Sequence, residues 1–455
     1  MNREALCARC IRVIISIVCL ASVAFAARAE PIQAQAGGVL PLCAEQSYGR
    51  LFPSPNYTND GAIFWLTEWR YAGAKHKVVL RSRDRGASWL QVFDYPYTMN
   101  SALFTAFDMA SEPEATGLTA YLGLIYYIDP ITNQYHFYRT MDGGDTWESR
   151  TAPCNGSLQC FDYTLRAADR PGVLFQPRFR TEYYPSLPAG VARSVDGGAT
   201  WQQVWSETLA VTMAVSPDYD QDETVFASLA AVSPSLNTRL IISHDAGETW
   251  SGGGQGLCPD RHLGQIEVSP GFAQDRTLLA SATWTGSSLF MSQDGGVTWR
   301  AIFPPGGPYC GNSPYGEIYP QFSPDFPADS TIYAATFAGL YASYDAGESW
   351  IMLAPNTSYN LAVRRTPETD TPALPASGAG SPEPREDVHQ VFLPLTAVQG
   401  SGPSYKPHTL FMEAFFSWPI GATQYRSDDG GRTWQCMNIP LVRPQVYLPL
   451  LHIQS

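Results

Sequence analysis

Aromatic rings stand directly beside arginines and carboxylates in several short segments of this chain. Trp69 and Tyr71, for example, flank Arg70 and follow Glu68. Such a group suits a sugar, because an aromatic face stacks on sugar C–H bonds while charged groups bond to the hydroxyls. The alternative is that these rings pack long loops onto a scaffold. The candidate ligand-binding residues of this kind are Trp69, Tyr71, Tyr126, Tyr127, Tyr183, Tyr184, Trp284 and Trp418.

The elements that would position these residues follow from an internal repeat. The motif Ser/Thr-x-Asp-x-Gly-x-Ser/Thr-Trp, here called the aspartate turn, occurs seven times. The aspartate accepts backbone N–H bonds, the glycine takes the positive φ of a tight hairpin, and the tryptophan begins the next strand. We therefore expect these aspartates to be structural. They are Asp84, Asp142, Asp196, Asp245, Asp294, Asp345 and Asp429.

A second motif, here called the Ser-Pro turn, marks another hairpin in the same units. Ser-Pro precedes an aromatic residue, an acidic residue and an apolar run at 53–65, 215–227, 268–280 and 322–334. Each unit of about 50 residues thus predicts four antiparallel strands, the blade of a β-propeller. The predicted fold is all-β, a single seven-bladed β-propeller of four-stranded antiparallel blades, with the aspartate turn between strands three and four. Both turns share one face, so the aromatic candidates fall on the opposite, loop face.

The two motifs resemble the Asp-box, or BNR, repeat family, whose members include sialidases, xyloglucanases, sortilin-type receptors and photosystem assembly factors. In that family the box is a turn distant from the ligand, so the resemblance implies fold rather than function. A sialidase-like activity would imply three arginines on a carboxylate, a Tyr with a Glu, and an acid/base. Arg50, in a segment whose spacing differs from the sialidase signature, is the nearest match to the first arginine. The other candidates with suitable chemistry are Arg178, Arg180, Arg261, Tyr309 and Glu317.

These observations leave two main hypotheses about function. The first is an exported, non-catalytic propeller that binds a glycan or an extracellular protein through its aromatic loop face. The second is a secreted glycoside hydrolase of sialidase-like type, although sialidases have six blades and xyloglucanases place their carboxylates between two propellers. A photosystem-type assembly role is a third option. We expect a monomer.

The ends of the chain predict export. A basic segment followed by the apolar run 13–26 and small residues indicates a signal peptide over 1–29, with an uncleaved anchor as the alternative. We expect an N-terminal segment at 30–44, the propeller at 45–440 and a tail at 441–455. Blade 7 carries a Pro-rich insertion at about 367–408. After removal of the signal no further segment is expected to span a membrane.

Six cysteines remain beyond the signal peptide, an even number that suits disulfides in an exported chain. Sequence alone allows fifteen connectivities. Cys43 and Cys436 lie at the two ends of the propeller, so their bond would close the ring. Cys258 and Cys310 follow successive aspartate turns, and Cys154 and Cys160 are local neighbours. We predict the pairs Cys43–Cys436, Cys154–Cys160 and Cys258–Cys310.

Composition excludes several classes of partner and cofactor. Without the signal peptide the chain holds 25 basic and 41 acidic residues, a balance that repels nucleic acid. We expect no metal, since no CxxC survives and the histidines are scattered. Asp218, Asp220 and Asp222 overlie a Ser-Pro turn and lack the spacing of a calcium loop. Motifs for a cofactor or a serine nucleophile are absent from the sequence, and we predict none.

Overall fold

The computed structural model describes residues 49–71, 74–97, 102–110, 117–127, 133–154, 158–160, 164–180, 190–282, 288–305, 310, 315–355, 358–367, 408–415 and 422–437. These residues form seven antiparallel sheets, each made of consecutive strands, arranged as a ring. The predicted seven-bladed all-β propeller is confirmed. Blade 3 has a short fifth strand. This strand pairs with the second strand of the blade, on the same edge as the inner strand.

The strands of blades 1 to 4 have the following bounds. They are β1 Gly49–Pro53, β2 Ile63–Tyr71, β3 Ala74–Ser82 and β4 Leu90–Tyr97; β5 Ala102–Ala110, β6 Thr119–Tyr127, β7 Asn133–Thr140 and β8 Glu148–Arg150; β9 Leu158–Cys160, β10 Arg166–Ala167, β11 Leu174–Arg180, β12 Gly190–Ser194 and β13 Gln202–Trp205; and β14 Ala210–Val215, β15 Val225–Leu229, β16 Leu240–Ser243 and β17 Ser251–Gly253.

Blades 5 to 7 repeat the same order. Their strands are β18 Leu263–Val268, β19 Leu278–Ala282, β20 Leu289–Ser292 and β21 Arg300–Phe303; β22 Ile318–Phe322, β23 Ile332–Thr336, β24 Gly339–Ser343 and β25 Ile351–Pro355; and β26 Ser358–Arg365, β27 His408–Phe415, β28 Ala422–Ser427 and β29 Gln435–Cys436.

The aspartate turns form through a fixed set of side-chain bonds. In blade 4, Ser243 Oγ donates to Asp245 Oδ1 at 2.8 Å. The backbone N–H and the hydroxyl of Thr249 donate to the two oxygens of the same carboxylate, at 2.8 and 2.6 Å. Gly247 sits at φ 90°, a conformation that side chains disfavour. The carboxylate thus replaces backbone partners that the tight turn cannot supply.

In four blades the tryptophan that ends the aspartate turn bonds to the preceding blade. Trp250 Nε1 donates to the carbonyl oxygen of Val204 in the preceding blade, at 3.1 Å. Trp147, Trp201 and Trp350 make the equivalent bond to Val92, Thr151 and Ile302. The repeated motif therefore builds both the turn and the contact between blades.

Three Ser-Pro turns contain a single helical turn rather than a plain hairpin. These helices are α1 Tyr57–Asp60, α2 Tyr219–Asp222 and α3 Phe272–Asp275. In α2, Ser216 Oγ donates to Asp222 Oδ2 at 2.8 Å, and the ring of Tyr219 is buried. Asp220 forms an ion pair with Arg170 of blade 3 at 2.9 Å. The carboxylates of this segment are thus used in structure.

Blades 1 and 2 extend further on the loop face than blades 4, 5 and 6 do. The second strand holds nine residues in β2 and β6 but five in β15, β19 and β23. In blades 1, 4, 5 and 6 this strand starts directly after the Ser-Pro turn, so the extra residues of β2 project from the opposite end. Four residues of strand span about 13 Å. The loop face is therefore asymmetric, with a wall over blades 1 and 2.

Within the described residues blades 1 and 7 each consist of their own four strands, so no exchanged strand joins them. Polar contacts join them instead. Arg364 of β26 donates from Nε to Ser54 O and from Nη2 to Pro53 O, both at 2.8 Å. Gln424 Nε2 donates to Gly49 O at 3.0 Å. Hydrophobic clusters shared by adjacent blades supply the core, for example Leu340, Leu353 and Leu410 between blades 6 and 7.

One predicted disulfide is visible between blades 4 and 5. Cys258 and Cys310 are bonded, with their Cα atoms 5.5 Å apart. Cys154 and Cys436 are also disulfide-bonded. Cys43 and the side chain of Cys160 lie outside the described residues, so these two pairings stay predictions. No helix in the described part of the chain is long and apolar enough to span a membrane.

Candidate functional site

The inner strands of all seven blades surround a central channel of about 770 Å³. Its wall combines aromatic rings with amide and charged side chains, which is the composition of a binding site for a polar ligand. The aromatic members are Phe52, Phe107, Tyr319 and Phe411. The amide members are Gln265, Gln321, Asn360 and Gln424.

At the loop-face end of the channel a chain of hydrogen bonds crosses from blade 1 to blade 7. Arg50 lies near the start of β1 and donates from Nε to Asn360 Oδ1 at 3.0 Å. Asn360 Nδ2 in turn donates to Glu413 Oε2 at 2.7 Å. Burial raises the pKa of Glu413 to about 7, although Asn360 and the charge of Arg50 act in the opposite direction. Glu413 is therefore poised to exchange a proton near neutral pH.

Blade 6 contributes a second carboxyl group to the channel. Glu317 is exposed and accepts a hydrogen bond from the hydroxyl of Tyr319 at 2.6 Å. Both residues line the cavity, on or just before β22. Their position at the start of an inner strand places them at the loop-face end, as it does for Arg50.

The other end of the channel, beside the Ser-Pro turns, holds two acids and two arginines. Asp108, Arg166, Glu267 and Arg364 come from blades 2, 3, 5 and 7. Burial raises the pKa of Asp108 and of Glu267, while both arginines oppose the shift. Burial likewise lowers the pKa of Arg364 to about 10. This end of the channel thus combines two acidic and two basic side chains.

The wall of blades 1 and 2 carries a polar network of its own. Lys77 Nζ lies 2.9 Å from Glu68 Oε2, and the hydroxyl of Tyr97 donates to the same oxygen. His76 Nδ1 lies 2.6 Å from Asp94 Oδ1. These bonds fix the long strands above the channel mouth.

The predicted aromatic candidates that the structure describes lie in this wall, away from the channel lining. Trp69 is half-buried and packs against the cluster of Trp65, Val78 and Leu80. Tyr126 is half-buried, with its ring 6.5 Å from that of Tyr95. Tyr127 is half-buried as well. The following lie outside the described residues: Tyr183, Tyr184, Trp284, Trp418 and the side chain of Tyr71.

Only some of the candidate catalytic residues lie in the channel. Arg50 and Glu317 both line the channel. Arg178 is buried in β11 and Arg261 donates to Cys310 O at 3.4 Å, and neither is part of the channel lining. Tyr309 and the side chain of Arg180 lie outside the described residues.

Sequence reasoning missed Asp108, Asn360 and Glu413. The available signal was a polar residue inside an apolar inner strand, as in Ala102–Ala110. Which edge of each blade faces the axis became clear only with the fold.

Comparisons with known proteins give distant relatives. No family model matches the chain. A xyloglucanase of Paenibacillus sp is 26% identical over 303 residues, covering 65% of this chain and 23% of the relative. A xyloglucanase of Hypocrea jecorina (strain QM6a) is 24% identical over 324 residues, covering 58% and 38%. The chain thus spans well under half the length of these curated relatives.

Among solved structures, a puromycin hydrolase superimposes with a TM-score of 0.51 at 12% identity. The match covers 83% of this chain and 52% of that one. At this identity the similarity concerns the fold alone.

Proposed function

We propose that this protein is an exported, non-catalytic β-propeller of the Asp-box repeat type that binds a glycan at the loop-face end of its central channel. The observation that carries the proposal is the channel itself, whose wall sets the partly exposed rings of Phe52 and Tyr319 among arginine, amide and carboxyl groups. Aromatic rings offer stacking surfaces, and the amides supply paired donors and acceptors that match hydroxyl groups.

The shape of the loop face supports the same ligand class. The wall of blades 1 and 2 extends the channel mouth on one side, so an extended oligosaccharide has a surface to follow. Trp69 and Tyr126 lie in this wall, half-buried, and Trp284 and Trp418 are predicted on the same face. An aromatic surface beside a polar channel is what a chain of sugar rings requires.

The relatives suggest the first ligand to test. Two xyloglucanases share sequence similarity over more than half of this chain. Because the chain spans only a fraction of their length, catalysis does not transfer with the similarity. Xyloglucan oligosaccharides are therefore the first probe for binding.

A glycoside hydrolase is the second candidate, favoured by one specific observation. The channel holds Glu413, whose raised pKa of about 7 suits a general acid, together with the exposed carboxyl group of Glu317. Glycosidases use such a pair, one protonated and one ionised. The two candidates differ in whether the ligand is cleaved.

Isothermal titration with xyloglucan oligosaccharides and a panel of other glycans tests the proposal. We expect binding by the wild type and a loss of at least about tenfold in Tyr319→Ala, which removes a channel ring. Tyr344→Ala is the matched control, because Tyr344 is 40% exposed at the aspartate turn of blade 6. We expect it to bind as the wild type does.

Release of reducing ends, measured on the same panel, separates the two candidates. Hydrolysis that disappears in Glu413→Gln or Glu317→Gln would replace the binding proposal by the hydrolase. Binding that Tyr319→Ala leaves intact would show that the ligand sits elsewhere.

A further inference from the structure

Phe337 presents an aromatic ring to solvent on the loop face of blade 6. It lies in the tight turn between β23 and β24, and 38% of the residue is exposed. By contrast, Trp69, Tyr126 and Tyr127, which the sequence singled out for this face, are half-buried. One exposed apolar ring is ordinary in itself, so the surroundings of Phe337 decide what it can do.

The turn that carries Phe337 is held by several hydrogen bonds. The buried hydroxyl of Thr336 donates to Gly339 O at 2.9 Å and accepts from the backbone N–H of Ala338 at 3.0 Å. The backbone N–H of Phe337 donates to Tyr315 O at 2.9 Å, which ties the turn to the segment before β22. An aromatic ring on such a fixed turn loses little conformational entropy when a ligand binds to it.

A glycine lies directly beneath the ring. Gly316 has a φ of 64°, and a side chain at this position would overlap ring atoms of Phe337. Glycine is therefore favoured here both by the backbone conformation and by the close approach of the ring. The turn and this glycine together hold the exposed ring in one place.

That place is beside the mouth of the channel. Ile318 of β22 pairs with Thr336 of β23, so Glu317 and Phe337 face each other one position further along the two adjacent strands. Glu317 is exposed, lines the channel and accepts a hydrogen bond from the hydroxyl of Tyr319 at 2.6 Å. A row of three side chains thus runs from Tyr319 in the channel, through Glu317 at its mouth, to Phe337 one strand further from the axis.

The chemistry of this row suits two neighbouring sugar units. The ring of Tyr319 can stack on one unit and the ring of Phe337 on the next, since aromatic faces pack against sugar C–H bonds. Between them the carboxylate of Glu317 can accept hydrogen bonds from hydroxyl groups of either unit. The same carboxylate repels an acid group on the ligand, which favours uncharged sugars.

We propose that Phe337 forms a second sugar-binding subsite beside the channel mouth, and that the ligand is an uncharged oligosaccharide rather than a single sugar. Glu317 bonds to ligand hydroxyl groups between the two subsites. This inference rests on the proposed glycan-binding function, to which it adds the length and the charge of the ligand.

Titration calorimetry with three probes tests the subsite. The probes are a xyloglucan heptasaccharide, D-glucose as a single unit, and an alginate oligosaccharide as a charged counterpart. We expect the heptasaccharide to bind more tightly than glucose, and the alginate oligosaccharide to bind no better than glucose. Phe337→Ala should weaken heptasaccharide binding about tenfold and leave the weak binding of glucose unchanged.

Further variants separate stacking from a purely structural role of the ring. Phe337→Leu keeps an apolar side chain in the turn but has no aromatic face, so it should weaken heptasaccharide binding as Phe337→Ala does. Phe337→Tyr and Phe337→Trp keep the face and should bind within about twofold of the wild type. Tyr344→Ala is the matched control, because Tyr344 is a comparably exposed ring at the aspartate turn of the same blade.

The outcomes distinguish this inference from the proposed function. Heptasaccharide binding that Phe337→Ala and Phe337→Leu leave unchanged would overturn the subsite while the channel proposal stands. Binding that depends on Phe337 but not on Tyr319 would uphold the subsite and contradict the channel proposal. An alginate oligosaccharide bound as tightly as the heptasaccharide would overturn the assignment to uncharged sugars. No heptasaccharide binding by the wild type would contradict both proposals.

Discussion

Glu413 shows how a single side chain in the channel links stability to pH. Its carboxyl group is 6% exposed and hydrogen-bonded to Asn360, and burial raises its pKa to about 7. The folded state therefore holds this proton more tightly than the unfolded state, where a Glu has a pKa near 4.5. Between these values stability falls as pH rises, and the loss is complete above the folded pKa.

We predict that Glu413→Gln removes this dependence. The full contribution of a shift of this size is about 3 kcal/mol. Urea unfolding at pH 5 and at pH 8 should show a smaller decrease in the free energy of unfolding for the variant than for the wild type. Equal decreases in both proteins would mean that Glu413 is ionised in the fold without penalty.

Residues of this kind were the hardest to predict from the sequence. Arg50 and Glu317 were named among candidates and do line the channel, but Glu413 and Asp108 were not recognised. Each lies within an apolar strand, and the sequence does not reveal which residues of that strand reach the channel.

At the scale of elements, the aspartate turn was the most predictable part of the molecule. Its residue types predict the hydrogen bonds of the turn, since Asp, Gly and Thr at this fixed spacing are compatible with few other backbone conformations. The helical turns α1 to α3 were not foreseen, because the same Ser-Pro motif is compatible with a plain hairpin. The greater length of β2 and β6 could not be predicted from the sequence either, since it depends on how far neighbouring strands remain paired.

Acid should weaken these turns. Burial would raise the pKa of Asp245, but hydrogen bonds from Thr249 and Ser243 outweigh it and lower the pKa. Asp84, Asp142, Asp196, Asp294 and Asp345 share the direction. The stabilisation is complete above the ordinary value of 3.8 and is lost as pH falls through the lowered values. This trend is opposite in sign to that of Glu413.

We predict that Asp245→Ala lowers the free energy of unfolding by about 1 to 3 kcal/mol, because three hydrogen bonds to one carboxylate are lost. Asp260→Ala is the matched control, an exposed acid beyond the same turn. Urea titration at pH 7 measures both variants. Equal stability of the two would contradict the structural role of the turn.

At the scale of the whole molecule, the ring depends on the join between blades 1 and 7. Arg364, Gln424 and the pair Arg50 and Asn360 cross this join. The predicted Cys43–Cys436 bond would add a covalent link across nearly the entire chain. Cys436 is disulfide-bonded, as the prediction requires of it.

Peptide mapping of the unreduced protein should recover Cys43 linked to Cys436. Cys436→Ser should then lower the free energy of unfolding by about 2 to 4 kcal/mol, because such a bond closes a very long loop. Recovery of Cys436 with any other cysteine would contradict closure of the ring by this bond. The number of blades and their order, by contrast, followed from the repeat alone.

A crystal structure with a xyloglucan oligosaccharide would show whether a glycan binds at the loop-face end of the channel. We expect an intact sugar stacked on Tyr319, with its hydroxyl groups bonded to the Arg50, Asn360 and Glu413 chain. A sugar bound only on the outer surface of the blades or beside the aspartate turns would contradict it, as would an empty channel at saturating ligand.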